Sequence, residues 1–290
     1  MAIVPIVTPH LLLTCFVLVP LAMLSRNRVL IGGLVAAGVL AVVLLGDEWL
    51  SLPVKDPPAA VSVDLVSWNL ELGARTPRQT VDTLLGHRAD IVALQELTDD
   101  AAAAIDANAT LRQWYPFQVL EPDPGVTGLG ILSAYPIEGP QVAADPATLT
   151  ARVSIDPNRA VQVLNAHPQP AAIGFLGFHA RNRDERLGRL RDQIERLLLD
   201  DEPLIVIGDF NVASSEPAYR DLAEGLRDVH RDVGWGPGWT WRPDRVIRFG
   251  IGLIRIDYVL TSHELASRAT VVDCGQLGDH CILMATVDLP

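Results

Sequence analysis

Apolar segments of strand length recur from residue 61 to the end of this 290-residue chain, and several of them end in an acid, an amide or a histidine. Their length and their alternating or continuous apolar character predict β-strands. The predicted strands cover residues 61–68, 90–94, 128–133, 151–155, 161–165, 204–208, 256–260, 269–274 and 282–287. Helical patterns at 79–85 and 184–199 lie between some of these strands. Strands and helices mixed in this way predict one α/β domain with large sheets.

Composition excludes several classes of protein. The chain has 23 Lys and Arg against 35 Asp and Glu, a formal net charge of −12. This balance argues against a protein that coats nucleic acid non-specifically, because such binding requires a basic surface. It does not exclude an enzyme that reaches phosphate through a divalent cation. A hydrophobic share of 49% excludes general disorder, and three cysteines are too few for a disulfide scaffold or a zinc ribbon.

The first 50 residues differ from the rest of the chain. Two uncharged apolar runs, at about 2–24 and 29–46, have the length of transmembrane helices. The arginines between the runs predict a cytoplasmic turn. We therefore expect a two-pass membrane protein with its catalytic domain outside the cytoplasm. A linker at 51–60 would lead to that domain at 61–290, and two helices buried in a globular core are the alternative.

Polar side chains at the ends of apolar strands are the candidate functional residues, because an α/β scaffold can gather such residues into one cleft. They are Asn69, Glu96, His167, Asp209, Asn211, Asp257, Asp279 and His280. Carboxylates and amides are hard oxygen ligands that suit Mg²⁺, Mn²⁺ or Ca²⁺. Histidines transfer protons near neutral pH, and a carboxylate can orient an imidazole. A metal and a histidine–carboxylate pair without a candidate nucleophile indicate direct attack by water, for which a phosphate ester is the natural target.

Taken in order, the motifs resemble those of the endonuclease/exonuclease/phosphatase superfamily. This group includes deoxyribonuclease I-like enzymes, neutral sphingomyelinases and inositol-polyphosphate 5-phosphatases. The matching motifs are Trp-Asn-Leu at 68–70, Gln-Glu at 95–96, Gly-Leu-Gly-Ile-Leu-Ser at 128–133, Tyr-Pro-Ile at 135–137, Asn-Ala-His at 165–167, Gly-Asp-Phe-Asn at 208–211, Arg-Ile-Asp-Tyr at 255–258 and Gly-Asp-His at 278–280. Gly278 is a departure, since serine is common at this place in the family.

The resemblance implies a four-layer α/β sandwich, in which two packed mixed sheets are flanked by helices. It implies a cofactor, Mg²⁺ or alternatively Mn²⁺. In the family pattern Glu96 is the main metal ligand, and Asn69 and Asp279 assist it at the metal site.

The same resemblance assigns the other polar residues to catalysis. Asp209 and Asn211 would position or activate the attacking water and contact the phosphate. His280, paired with Asp257, would act as the general base or would stabilise the phosphate. His167 would stabilise the transition state or serve the leaving group.

The natural substrate stays open at this stage. Apolar loops at 171–178 and 234–254 could stack bases of a nucleic acid, contact a membrane around a phospholipid or sphingolipid, or pack on the sandwich. A phosphomonoesterase acting on inositol-type headgroups and a catalytically inactive binding module are further alternatives. No obligate protein partner is predicted. Cys274 and Cys281 form either a disulfide, if the domain lies outside the cell, or two buried thiols.

Overall fold

The computed structural model describes residues 3–49, 61–174, 177–243, 249–275 and 278–290. Its first sheet has six strands in the spatial order β13-β14-β1-β2-β4-β3. These strands are β1 (Val61–Asn69), β2 (Ile91–Gln95), β3 (Phe117–Glu121), β4 (Leu129–Ser133), β13 (Ala266–Asp273) and β14 (Ile282–Leu289). The central pair β1 and β2 is parallel, and the other pairs are antiparallel.

The second sheet repeats this arrangement with the spatial order β11-β12-β10-β7-β6-β5. Its strands are β5 (Ile137–Ala144), β6 (Ala147–Asp156), β7 (Arg159–His167), β10 (Leu204–Asp209), β11 (Arg227–Asp228) and β12 (Asp257–Thr261). Here β7 and β10 form the parallel pair. Two short strands, β8 (Ala172–Gly174) and β9 (Gly177–His179), pair only with each other among the described strands.

Helices cover the outer face of each sheet. The helices of the domain are α3 (Pro77–Gly86), α4 (Asp99–Ala107), α5 (Ala109–Trp114), α6 (Arg181–Leu197), α7 (Pro217–Leu222) and α8 (Val229–Val233). One apolar cluster joins α3, α4 and α5 to the first sheet, and another joins α6 and α7 to the second. A third cluster fills the space between the sheets. The predicted α/β fold of two mixed sheets flanked by helices is therefore confirmed.

Burial explains why the sequence forms this sandwich. Strands β2 and β10 are buried at every position, as expected for central strands covered on both faces. Helix α3 begins at a capping box, in which the Thr76 hydroxyl accepts from the Gln79 N–H and the Gln79 side chain accepts from the Thr76 N–H.

The sequence patterns located the buried strands and missed the exposed or short elements. Strand β5 is largely exposed, and β8, β9 and β11 span three residues or fewer. Strands that are this exposed or this short do not give the apolar pattern of a buried strand. Helix α6 begins at Arg181, three residues before the predicted start at 184.

The N-terminal segment forms two helices, α1 (Ile3–Ser25) and α2 (Arg28–Trp49). Within the described parts of the chain, however, no helix is both long and apolar enough to cross a membrane. The predicted two-pass membrane hairpin is therefore wrong, and with it the basis for expecting an extracytoplasmic domain. The open end of the helix pair packs on protein instead, since the carbonyl of Trp49 accepts a hydrogen bond from the N–H of Gly236 at 3.0 Å. The predicted linker at 51–60 lies outside the described residues.

Candidate active site

The two sheets are joined by side chains directly below the candidate site. Gln95, at the end of β2, donates from Nε2 to Oδ1 of Asn165 in β7 at 2.7 Å. The side-chain nitrogen of Asn165 donates in turn to two backbone carbonyls of the first sheet, those of Leu94 at 2.9 Å and Gly130 at 3.0 Å. All of these groups are buried, so the network fixes one sheet against the other where their parallel strands end. Both residues stand in the motifs, but sequence reasoning gave neither of them a role.

Asn69 connects acids from both sheets. Its Nδ2 donates to Glu96 Oε1 at 3.1 Å and to Asp209 Oδ2 at 3.0 Å. Its Oδ1 accepts from the backbone N–H of Glu71 at 2.8 Å, which fixes the orientation of the amide. The amide oxygen therefore has a protein donor, and the amide nitrogen holds the two carboxylates in place.

Backbone conformation is unusual at the site. Among the described residues, four that are not glycine have positive φ, and three of these lie here: Glu71 (52°), Glu96 (53°) and Asn211 (53°). This conformation costs energy for side chains with a Cβ and persists where surrounding contacts enforce it, commonly at functional sites. Gly208 also has positive φ, at 142°, and only glycine fits there, because a Cβ would lie 2.1 Å from the carbonyl oxygen of Ala166.

His280 and Asp257 form the predicted imidazole–carboxylate pair. His280 Nδ1 lies 3.1 Å from Asp257 Oδ2, and His280 Nε2 lies 3.6 Å from Asp209 Oδ2. Burial disfavours the imidazolium, but Asp257 and Asp209 outweigh burial and raise the pKa of His280 to about 10. Burial raises the pKa of Asp257 even beside this histidine. Burial also disfavours the Asp209 carboxylate, yet His280 and His167 outweigh it and lower the pKa of Asp209.

His167 approaches the same acids from β7. Its Nδ1 donates to the carbonyl of Val126 at 2.7 Å, so Nε2 faces the site. There Nε2 lies 3.6 Å from Glu96 Oε1 and 3.5 Å from Asp209 Oδ2, without a hydrogen-bond partner among the described atoms. Burial would lower the pKa of His167, but Asp209 and Glu96 outweigh it and raise this pKa.

Asp279 completes the acidic wall and is held by two groups outside the predicted set. Trp241 Nε1 donates to Asp279 Oδ2 at 2.9 Å, and the Asp279 N–H donates to Glu71 Oε2 at 3.0 Å. Asp279 Oδ1 is buried and has no described hydrogen-bond partner. Burial raises the pKa of the Asp279 carboxyl. Sequence reasoning noted Trp241 only as part of an apolar loop, because a single tryptophan does not reveal which carboxylate its N–H meets.

A disulfide between Cys274 and Cys281 closes the loop that carries Asp279 and His280. The Arg242 guanidinium donates to the Cys274 and Gly278 carbonyls of this loop. Gly278 has φ of 80°, and a Cβ there would lie 1.6 Å from Arg75 Nη2. A side chain at position 278, where serine is common in the family, would therefore collide with the buried guanidinium of Arg75.

The candidate site opens onto a cavity of about 600 Å³. Its lining includes Glu96, Asp209, Asn211, Asp279 and His280. The donor set fits a divalent cation. Asp209, Asp257 and His280 can each place one ligand atom within 4.8 Å of the others, and the partnerless Oδ1 of Asp279 and Nε2 of His167 lie beside them. Carboxylates crowded in this way raise the free energy of the site, and a bound cation offsets that cost.

The sequence of residues 66–280 matches the Endonuclease/Exonuclease/phosphatase family. The chain belongs to this family. It is accordingly a metal-dependent hydrolase of phosphate esters.

One characterised protein and two solved structures are similar to the chain over most of its length. An exodeoxyribonuclease of Streptococcus pneumoniae serotype 4 is 24% identical over 287 residues, covering 78% of this chain and 99% of the relative. The 3′-5′ exonuclease NExo of Neisseria meningitidis has a TM-score of 0.63 at 21% identity, with 78% of this chain and 99% of NExo covered. A humanized TDP2 of D. rerio has a TM-score of 0.63 at 18% identity, with coverage of 78% and 99%. The two structures share the fold with this chain.

Proposed function

We propose that this enzyme hydrolyses phosphodiester bonds of nucleic acid by direct attack of water. The observation that carries the proposal is the meeting of Glu96, Asp209 and Asp279 with two histidines at one end of the sandwich, around partnerless polar atoms. Two curated relatives that are exodeoxyribonucleases favour DNA as the substrate. The catalytic domain corresponds to residues 61–290.

Glu96, Asp279 and Asp209 present hard oxygen atoms that suit Mg²⁺, with Mn²⁺ as a substitute. A bound divalent cation would polarise a phosphate oxygen and neutralise part of its charge. Asn69 keeps the carboxylates of Glu96 and Asp209 apart and aligned, since its Nδ2 donates to both.

The remaining residues bind the phosphate and move protons. Asp257 accepts from His280 Nδ1, which directs His280 Nε2 toward Asp209 and the cavity. From this position His280 stabilises charge on the phosphate or acts as the general base that accepts a proton from the attacking water. His167 Nε2 faces the same space from the opposite sheet, where it stabilises the transition state or protonates the leaving group. Asn211, held by the Pro168 carbonyl at 3.1 Å, contacts the phosphate.

The test is cleavage of supercoiled plasmid and of labelled oligonucleotides by the full chain with Mg²⁺. Asp209→Asn and His280→Ala should each lower the rate about 1,000-fold, because each removes a group that acts on the reacting atoms. Glu195→Gln is the matched control and should keep the wild-type rate, since Glu195 lies on the exposed face of α6, paired with Arg191. A folded wild type that binds Mg²⁺ but cleaves neither substrate would refute the proposal.

A further inference from the structure

The N-terminal helix α1 reaches the active site. Ile6 lines the same cavity as Glu96, Asp209 and His280 and is half-buried there. This residue lies outside 66–280, the part of the chain that matches the family. One wall of the catalytic cavity therefore comes from a segment that the family match does not include.

Aromatic contacts fix the end of the helix pair beside the cavity. The His10 ring lies against Trp239, with 4.8 Å between ring centroids. The Trp49 ring, at the end of α2, meets Trp239 edge-on at 6.1 Å, next to the hydrogen bond from Gly236 to the Trp49 carbonyl. Trp239 is two residues from Trp241, whose side chain holds Asp279. Both helices thus contact Trp239, two residues from a side chain that lines the cavity.

The chemistry of the lining indicates what kind of substrate fits. Half of the sixteen described lining residues are apolar, and the larger of these are Ile6, Val126, Pro170, Trp241, Ile254 and Ile256. Among the described lining residues Arg183 is the one arginine, and none is lysine. Arg183 donates to both carboxylate oxygens of Glu216, at 3.0 and 2.7 Å, so its positive charge is paired within the protein.

An intact duplex and an unpaired nucleotide bind to chemically different surfaces. A duplex presents its phosphates outward and is bound through Lys and Arg contacts to them. An unpaired base exposes an apolar π-face that packs on aromatic and aliphatic side chains. The cavity volume of about 600 Å³ also falls in the range of pockets that bind one small molecule.

We infer that the substrate is nucleic acid with an unpaired nucleotide beside the scissile phosphate, and that Ile6 of α1 packs on the base of that nucleotide. The inference rests on the proposed function and specifies its substrate class. It makes Ile6 a specificity-determining residue contributed by the N-terminal helix.

The first test compares a single-stranded oligonucleotide with the blunt duplex of the same sequence, using the full chain and Mg²⁺. Wild type should cleave the single strand with a kcat/KM about tenfold higher or more, and Ile6→Ala should lower this value about fivefold, the scale of one lost base contact. Ile6→Leu, which keeps the apolar volume, should lose less than Ile6→Ala. Leu24→Ala is the matched control in the same helix, and it should keep the wild-type value because Leu24 is 80% exposed at the far end.

A second test asks whether Ile6 contacts the base itself. An oligonucleotide with an abasic sugar beside the scissile phosphate keeps the phosphates and removes the base. If Ile6 packs on that base, the penalties of Ile6→Ala and of the missing base should not add. Additive penalties, or equal cleavage of single strand and duplex by wild type, would overturn the inference.

A separate readout distinguishes failure of the inference from failure of the proposed function. If wild type cleaves no nucleic acid, the proposed function is refuted. Fluorescence anisotropy with the same single-stranded oligonucleotide then tests the inference alone. Weaker binding by Ile6→Ala but not by Leu24→Ala supports it, whereas equal binding by all three proteins overturns it. Thermal unfolding of each variant checks that the protein stays folded.

Discussion

The molecule contains two sets of buried acids that are partnered in different ways. In the structural set, Asp228 lies 2.9 Å from Arg255, and Glu216 lies 2.7 Å from Arg183. In the catalytic set, the described partners of Asp209 are His167, His280 and the amides of Asn69 and Asn211. The sets are neighbours in the sequence, since Asp257 of the catalytic pair lies two positions after Arg255.

The difference shows how a fold separates stability from chemistry. Arginine stays protonated at all ordinary pH values, so an Arg–carboxylate pair is permanent and satisfies both charges. Histidine can release its proton, and amides carry no charge. Carboxylates that meet only such partners keep the capacity to bind a cation. We therefore propose that the structural set serves folding and that the catalytic set serves the reaction.

The largest expected effect breaks the catalytic set alone. Glu96→Gln should lower phosphodiester hydrolysis about 1,000-fold, because it removes a carboxylate from the metal site with little change of shape. The free energy of unfolding in EDTA should stay the same or rise, since crowding among the acids is relieved. Steady-state kinetics and chemical denaturation measure the two quantities. A large loss of stability without a loss of rate would reverse the assignment of Glu96.

The structural set should give the opposite result. Asp228→Ala should lower the free energy of unfolding by about 3–5 kcal/mol, because it leaves the buried charge of Arg255 without this partner. It also removes the acceptor for the N–H of His230 at the start of α8. Asp228→Asn is the graded control and should lose less. Urea unfolding measures both variants, and a loss below 1 kcal/mol for Asp228→Ala would contradict the structural assignment.

Magnesium should stabilise the protein only through the catalytic set. At about 100 times its Kd, a ligand adds about 2.7 kcal/mol to the stability of the state that binds it. Mg²⁺ should therefore raise the Tm of wild type and of Asp228→Asn by similar amounts, and it should raise the Tm of Glu96→Gln much less. Differential scanning calorimetry with Mg²⁺ and with EDTA gives these shifts. Equal gains in all three proteins would place the cation elsewhere.

The pH dependence of stability sharpens the comparison further. In EDTA, the raised pKa of His280 contributes stability that is complete below its ordinary 6.5 and is lost as pH rises toward about 10. Within this window the folded state holds one more proton than the unfolded state. Stability should therefore fall by up to about 1.4 kcal/mol per pH unit. Urea unfolding of His280→Gln across this range should give a flatter profile, and an unchanged slope would exclude His280 as its source.

The smallest effect is expected for an exposed ion pair. Glu195 and Arg191 lie 2.8 Å apart on the surface of α6, one turn from each other. Because water screens this pair, Glu195→Gln should change the free energy of unfolding by about 0.5 kcal/mol or less. A change as large as that of Asp228→Ala would mean that burial does not set the energy of these pairs.

The sequence located the candidate residues but not their individual contacts. Polar residues after apolar strands indicated a common cleft, and the structure brings Asn69, Glu96, His167 and Asp209 within hydrogen-bonding or ion-pair distance. The roles assigned to them stay predictions. Trp241 could not be predicted as the partner of Asp279, because that contact joins residues 38 positions apart, with β12 and β13 between them in the chain.

The N-terminal helices show the limit of sequence patterns most clearly. An apolar run of suitable length indicates a helix, and both helices are present. The pattern does not reveal what the helix packs against. Ile6 lines the catalytic cavity, and the rings of His10 and Trp49 contact Trp239, which lies 229 and 190 positions further along the chain.

The sequence by itself determined the buried strands, the order of the motifs and the residue types of the site, because burial and the period of a strand are local properties of the chain. Only the tertiary structure decided which acids meet arginine and which meet histidine. It alone placed Arg75 in the space that a Cβ of Gly278 would need, and α1 at the cavity. The physical reason is that charge pairing and close packing depend on distances of a few ångströms between segments, and those distances exist only after the sheets have packed together.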